Sequence, residues 1–241
     1  MKLTKEEKFI ESLYKLAEKQ LQKIYKFKRV SRDAILQEIA IVLLNYTIAN
    51  DVMVMERATI EKEYNKMSKL VNDIAKGEAA SQEKIIEELL STVVKETFSF
   101  YNYNKGLKDV KKIIESNFKG KHFSERVWSN EKNVANYLNK QINSFINGKI
   151  SVNQIKKDIE KTFNASAYNA KRLVTTEVSR CQNEAFRKLC EETNVKKVKR
   201  NAILDSKTCD DCYPLNGKVY ELKEMPQISH PMCRCFYEVY E

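Results

Sequence analysis

Proline is missing from the first 213 residues: all three prolines, Pro214, Pro226 and Pro231, fall near the C-terminus, and the whole chain of 241 residues holds only five glycines. Proline breaks a helix by removing a donor and clashing with the preceding turn, and glycine weakens one through its backbone freedom. A stretch of roughly 195 residues with so few obligatory breaks reads as consecutive helices. Thr4-x-x-Glu7 has the form of a capping box and starts a first helix carrying Phe9, Leu13, Leu16 and Leu21. A second helix is expected from Ser31 or Asp33 through the apolar window Ile35 to Met55, ending in Val54, and a charged third segment runs towards Lys76, where Gly77 is the expected stop. Ser81 is then the cap of a helix carrying Ile85, Ile86, Leu89, Leu90, Val93 and Val94. The aromatic run from Phe98 to Tyr103 reads as core; stacking on nucleic-acid bases is the alternative.

Lys108 to Lys121 is lysine-rich and reads either as a phosphate-contacting arm or as a solvated helix end. His122 has no neighbouring ligand type and reads as structural. Val134, Leu138, Ile142 and Phe145 recur at helical spacing behind Trp128, and Gly148 ends that element. Ser151-Val-Asn-Gln154 is a second capping box with Ile150 and Ile155 at its staple positions, opening a helix to Phe163. Asn164 and Ser166 punctuate the chain before a further helix with Tyr168, Leu173, Ala185, Phe186 and Leu189. Near Asn194 the composition changes. A strand from Val198 to Leu204, a type I′ turn at Asn216-Gly217, a return strand Lys218 to Tyr220 and a last strand Tyr237 to Tyr240 are expected. The fold class is therefore mainly α with a small α+β C-terminal module: a helical region 1–122, then 123–241 with helices over 124–193 and a β-hairpin unit over 195–241.

Chemistry concentrates in that unit, where four of the six cysteines and one of the two histidines occupy the last 33 residues. Cys209 and Cys212, two residues apart, can turn both thiolates to one ion, and His230, Cys233 and Cys235 follow about twenty residues later, near the interval of small zinc modules. Zinc suits thiolate and imidazole in a tetrahedral site, and four of these five side chains are the expected ligands. Cys233 and Cys235 share a face if the last strand begins there. A unit of about forty residues has too small a core to hold itself, so a structural metal supplies the missing stability. Cys181 and Cys190 read as buried apolar thiols. A deaminase is disfavoured by the lack of a His-x-Glu and a Pro-Cys-x-x-Cys.

The formal net charge of +10 suits a polyanionic partner, double-stranded DNA without base preference among them, although lysine-rich helices are also simply soluble. Gln37, Glu38, Asn45, Asn50 and Asp51 interrupt the most apolar window, so it reads as a buried helix and no membrane partner is expected. A charged N-terminus without an apolar run argues against export, and unexported cysteines are expected as reduced thiols in a cytoplasm.

Thr176-Glu177, the strand ending in Asp205, Thr208-Cys-Asp-Asp-Cys212, Leu215-Asn-Gly-Lys-Val219, Pro226 and His230-Pro-Met-Cys-Arg-Cys235 together resemble the Mu-F-like minor head protein family of tailed phages, over roughly Trp128 to Phe236. The family usually has an arginine directly before the Thr-Glu pair; here that position is Thr175, leaving Arg172 or Arg180 to supply the charge. The resemblance implies a non-enzymatic virion component, assembled in the host cytoplasm, associated with the portal protein, other head proteins and packaged DNA, with no small-molecule substrate. A zinc-containing nuclease and a zinc-ribbon DNA-binding regulator are the alternatives. Some relatives carry effector domains after the cysteine motif, and none is expected here.

Overall fold

The computed structural model describes residues 3–103, 106–204, 208–228 and 230–240, and of Leu107 only the backbone. Asp205, named above, lies outside the described residues. Among these the fold is mainly helical: α1 Lys5–Asn45, α2 Arg57–Phe100, α3 Leu107–Glu115, α4 Phe123–Ile146 and α5 Val152–Glu192. A two-stranded hairpin, β1 Thr47–Ala49 with β2 Val52–Val54, joins α1 to α2, and β3 Lys197–Asn201 stands between β4 Val219–Glu221 and β5 Phe236–Tyr240 in an antiparallel C-terminal sheet. No described helix is long and apolar enough to cross a membrane.

The helices are fewer and longer than expected. Ser31 and Asp33 do not start a helix; α1 passes through them, because its buried stripe Leu21, Ile24, Lys28, Ile35, Ile39 and Val42 continues at helical steps across the site. Gly77 and Ser81 likewise lie inside α2. Packing of Ala75, Glu78, Ala79 and Gln82 around them outweighs the roughly 1 kcal/mol that a helical glycine costs. Asn164 and Ser166 sit within α5, where Ser166 is buried. The expected helix into Val54 stops instead at Asn45. Asn50 and Asp51, at φ 51° and 65°, form a two-residue turn between Ala49 and Val52, with both central residues left-handed as type I′ requires.

Other local signals act as written. Thr4 and Glu7 exchange both capping bonds, at 2.7 and 3.1 Å. Ser151 Oγ accepts from the Gln154 amide at 3.2 Å, while the Gln154 side chain turns to Asp158. Gly148, at φ 66°, closes α4 in a Schellman motif through Lys149 N to Ser144 O (2.8 Å) and Gly148 N to Phe145 O (3.0 Å).

The chain forms two compact units: Met1–Leu21, Ile85–Phe123 and Lys171–Glu241 in one, Gln22–Lys84 with Ser124–Ala170 in the other. The second is built on Ile35, Met67, Val71, Leu138, Ile142, Phe145, Ile155 and Ile159. Within it Lys28 is buried, donating to Glu78 Oε2 (2.8 Å), Glu131 Oε1 (2.9 Å) and Ser166 Oγ (2.6 Å), while Gln82 donates to Glu131 at 2.8 Å. In the first unit the aromatic run is core: Phe100 stacks on Phe9 with centroids 4.2 Å apart, and Tyr101 meets Phe186 at 5.4 Å. There Phe186, Cys190, Val198, Met225 and Tyr237 form one apolar cluster, and the tail's cysteines form another with Phe118, Ala202 and Ile228.

Candidate metal centre

Two tight turns build the site. In the first, the Cys212 and Tyr213 amides both donate to Cys209 O, at 3.0 and 3.1 Å, which folds Cys209-Asp-Asp-Cys212 back on itself and leads into a short 3₁₀ turn opened by Pro214. In the second, Cys233 N donates to His230 O at 3.3 Å around Pro231 and Met232. Proline in the second position and a positive φ, 64°, in the third are the marks of a type II turn, which ordinarily asks for glycine where Met232 stands. The strain is held in place by α5. The Met232 amide donates to Thr176 Oγ1 at 3.0 Å, and that hydroxyl in turn donates to Arg172 O at 2.6 Å.

Further bonds dock the tail. Asn183 donates to Cys235 O at 3.1 Å and the Tyr14 hydroxyl to Cys233 O at 3.3 Å. Glu177 pairs with Arg180 at 2.6 Å, so Arg180 supplies the charge that Thr175 lacks. Arg180 also caps the end of α3, donating to Ile113 O at 2.8 Å and Ile114 O at 3.2 Å. Thr176 and Glu177, adjacent in sequence, therefore anchor two different things: the cysteine turn and the end of α3.

All five expected ligands converge. Cys209, Cys212 and His230 form one group, and Cys212, Cys233 and Cys235 a second, each with ligand atoms within 4.8 Å of one another. His230 Nε2 lies 3.0 Å from Cys209 Sγ and 3.1 Å from Cys212 Sγ, and Cys212 Sγ is 3.7 Å from Cys233 Sγ. Metal–sulfur bonds of about 2.3 Å place two thiolates of a tetrahedron ~3.8 Å apart, so the sulfur separation already suits one ion. His230 Nδ1 is 2.8 Å from Pro231 O; a carbonyl only accepts, so Nδ1 carries the hydrogen and Nε2 presents a lone pair to the thiols, as a metal ligand must. The space between these groups is about 20 Å³, room for a single ion or water. Donor type, tautomer and volume all fit a bound metal.

Cys233 and Cys235 precede β5, which begins at Phe236, so the expected shared strand face is not what gathers them; the His230 turn and the docking bonds do. Burial pushes the Cys212 thiol up to about 11, while Cys235 is lowered, first by its hydrogen bond with Cys233 and then by Arg200. Cys181 and Cys190 lie outside the cluster, and burial raises both thiols to about 12. His122 packs against Phe123 with ring centroids 4.4 Å apart and is in neither ligand group.

Sequence reasoning did not find Arg200, which is 2% exposed and lies 3.8 Å from Cys212 Sγ. Its parity is the signal that carries it: Val198 and Arg200 alternate inward along β3, with Ala202 buried just past its end, and an arginine at an inward position needs a buried partner. The hairpin turn also differs. Asn216, at φ −65° and ψ 131°, and Gly217, at φ 79°, have type II geometry, and Asn216 Oδ1 is occupied by the Ala202 amide at 2.8 Å.

No curated protein and no solved structure gives a significant match to the chain. A profile of the family described as Phage Mu protein F like protein matches residues 136–238, which include the C-terminal part of α4, all of α5, Arg200 and all five candidate ligands. Residues 136–238 are therefore similar to the phage Mu protein F like family, in keeping with the motif resemblance read from the sequence.

Proposed function

We propose that this protein is a minor head protein of a tailed phage, acting in head morphogenesis at the portal and on packaged double-stranded DNA, with the cysteine–histidine cluster as a structural zinc site. The observation that carries this reading is the family match over 136–238, which spans both the ligands and the helix that anchors them. Thiolate with imidazole donors and a one-ion cavity favour zinc over harder cations. The position of His230 weighs against a nuclease: the tail's single imidazole is already turned towards the thiols and is not left to act as a general base beside an ion. Charge of +10 suits DNA contact that is independent of base sequence, unlike that of a regulator.

In this reading residues 123–241 form the head-protein region and 1–122 a helical segment that docks on other head components. The protein works in the virion after assembly in the host cytoplasm. Peptide mass spectrometry of purified heads, combined with cross-linking to the portal protein, tests it. The expected result is the chain at low copy number, cross-linked to the portal; its absence from finished heads would overturn the assignment.

A further inference from the structure

Two stripes run along α1. The buried one, Ile24, Lys28, Ile35, Ile39 and Val42, packs inward. On another face Phe27, Val30, Ala34, Gln37, Ile41 and Leu44 follow one another at alternate steps of three and four, the a and d positions of a coiled coil. Four of these six are large apolar side chains open to solvent: Phe27 is 49% exposed, Val30 61%, Ile41 39% and Leu44 86%. Apolar residues exposed singly need no explanation, whereas a seam of them over about five helical turns does. The whole seam lies within one compact unit, that of Gln22–Lys84.

We propose that this seam is a self-association surface, on which a second copy of the chain lays its own α1 antiparallel about a two-fold axis.

Spacing, order and charge each specify that occupant. The heptad spacing asks for a helix, because knobs repeating every 3.5 residues are what fit between such side chains. The order is self-complementary. With the axis midway between Ala34 and Gln37, Phe27 faces the partner's Leu44, Val30 faces the partner's Ile41, and the small Ala34 leaves room for the partner's longer Gln37, as an isologous contact requires.

Charge sets the direction. In a parallel pair Asp33, at a g position, would meet the partner's Glu38 at e, two like charges side by side. The antiparallel pair sets Asp33 beside the partner's Ala40 and Glu38 beside the partner's Ser31, with no like charges opposed. It also brings the partner's Lys26 to the C-terminal end of α1, whose last turn has no basic side chain of its own to offset the helix dipole. Burying the seam and its flanks on both copies removes on the order of 1,000 Å² in total, at the small end of specific interfaces, so a dimer in the micromolar range is expected.

The test is sedimentation equilibrium of the full chain under reductant, at concentrations up to about 200 µM. Wild type is expected to dimerise reversibly. Val30→Glu and Leu44→Glu are expected to weaken the dimer about tenfold or more. Ala40→Lys adds a cation opposite the partner's Asp33 in the antiparallel pair alone, and is expected to tighten the dimer about twofold or more, while Ala40→Glu loosens it. Helical circular dichroism establishes that each variant is folded. A wild-type chain monomeric throughout that range would overturn the second copy as the occupant and leave the seam to a helix of another protein. A dimer untouched by folded Val30→Glu and Leu44→Glu would overturn the seam as its interface, and one indifferent to both Ala40 variants would overturn the antiparallel direction.

Discussion

Lys28 occupies the buried stripe of α1 between Ile24 and Ile35, a position where the helical pattern calls for an apolar side chain. Glu131 does the same on α4, between Val127 and Ala135, so two charges at core spacing were legible as candidates for a buried pair. That Glu78, Gln82 and Ser166 meet them was not legible, because it depends on the register of four helices. One lysine faces two carboxylates, and burial raises the pKa of Glu78, with the Glu131 charge adding to it and Lys28 opposing. The folded state therefore binds a proton that the unfolded state releases. That contribution to stability is complete in acid and lost as pH rises from the ordinary carboxylate range through the raised folded value. Glu78→Gln is expected to remove this decline, which urea titrations between pH 5 and pH 8 will read. Lys28→Met leaves both carboxylates without their cation and is expected to cost about 3–5 kcal/mol. Gly148 is the other sensitive residue: a Cβ there would lie 2.6 Å from Met53 O at a left-handed φ. Gly148→Ala should destabilise by about 1–3 kcal/mol in the same assay.

Among the elements, α3 is nine residues long and is pinned at its end by Arg180, whose guanidinium accounts for two backbone carbonyls there. Arg180 follows Glu177 by three residues and so shares its helix face, which is why it replaces an arginine at position 175. Arg180→Met should raise hydrogen exchange in α3 at least tenfold while α4 remains protected; unchanged exchange in α3 would refute the anchoring role. Turn chemistry was half legible. Asn-Gly serves both I′ and II turns, and the bond from the Ala202 amide to Asn216 Oδ1 accompanies an ordinary negative φ at Asn216. The I′ turn belongs instead to Asn50-Asp51, hidden in a window whose apolar content suggested continuous helix. Ser31, Ser81 and Asn164 resemble caps in one dimension, yet each lies in a helix whose buried stripe continues past it; local signals yield to packing that only the folded chain supplies.

For the whole molecule, the motifs foretold a helical chain with a small β tail, and the five side chains named from spacing as candidate ligands lie in two groups that share Cys212. What spacing did not contain was the support: Thr176, Asn183 and Tyr14 reach the tail from sequence positions 219 to 52 residues away. If zinc holds the tail, chelation should disorder residues beyond Asn194 while most of the helical circular dichroism survives, since the helices carry their own buried cores. Loss of the whole helical signal would contradict a clasp confined to the tail. The central claim, a closed structural centre, is tested most directly by X-ray absorption at the zinc edge of the purified protein. The account predicts four ligands, sulfurs at about 2.3 Å with one nitrogen at about 2.0 Å and no oxygen; a missing edge, or a water-derived oxygen in the coordination shell, would contradict it.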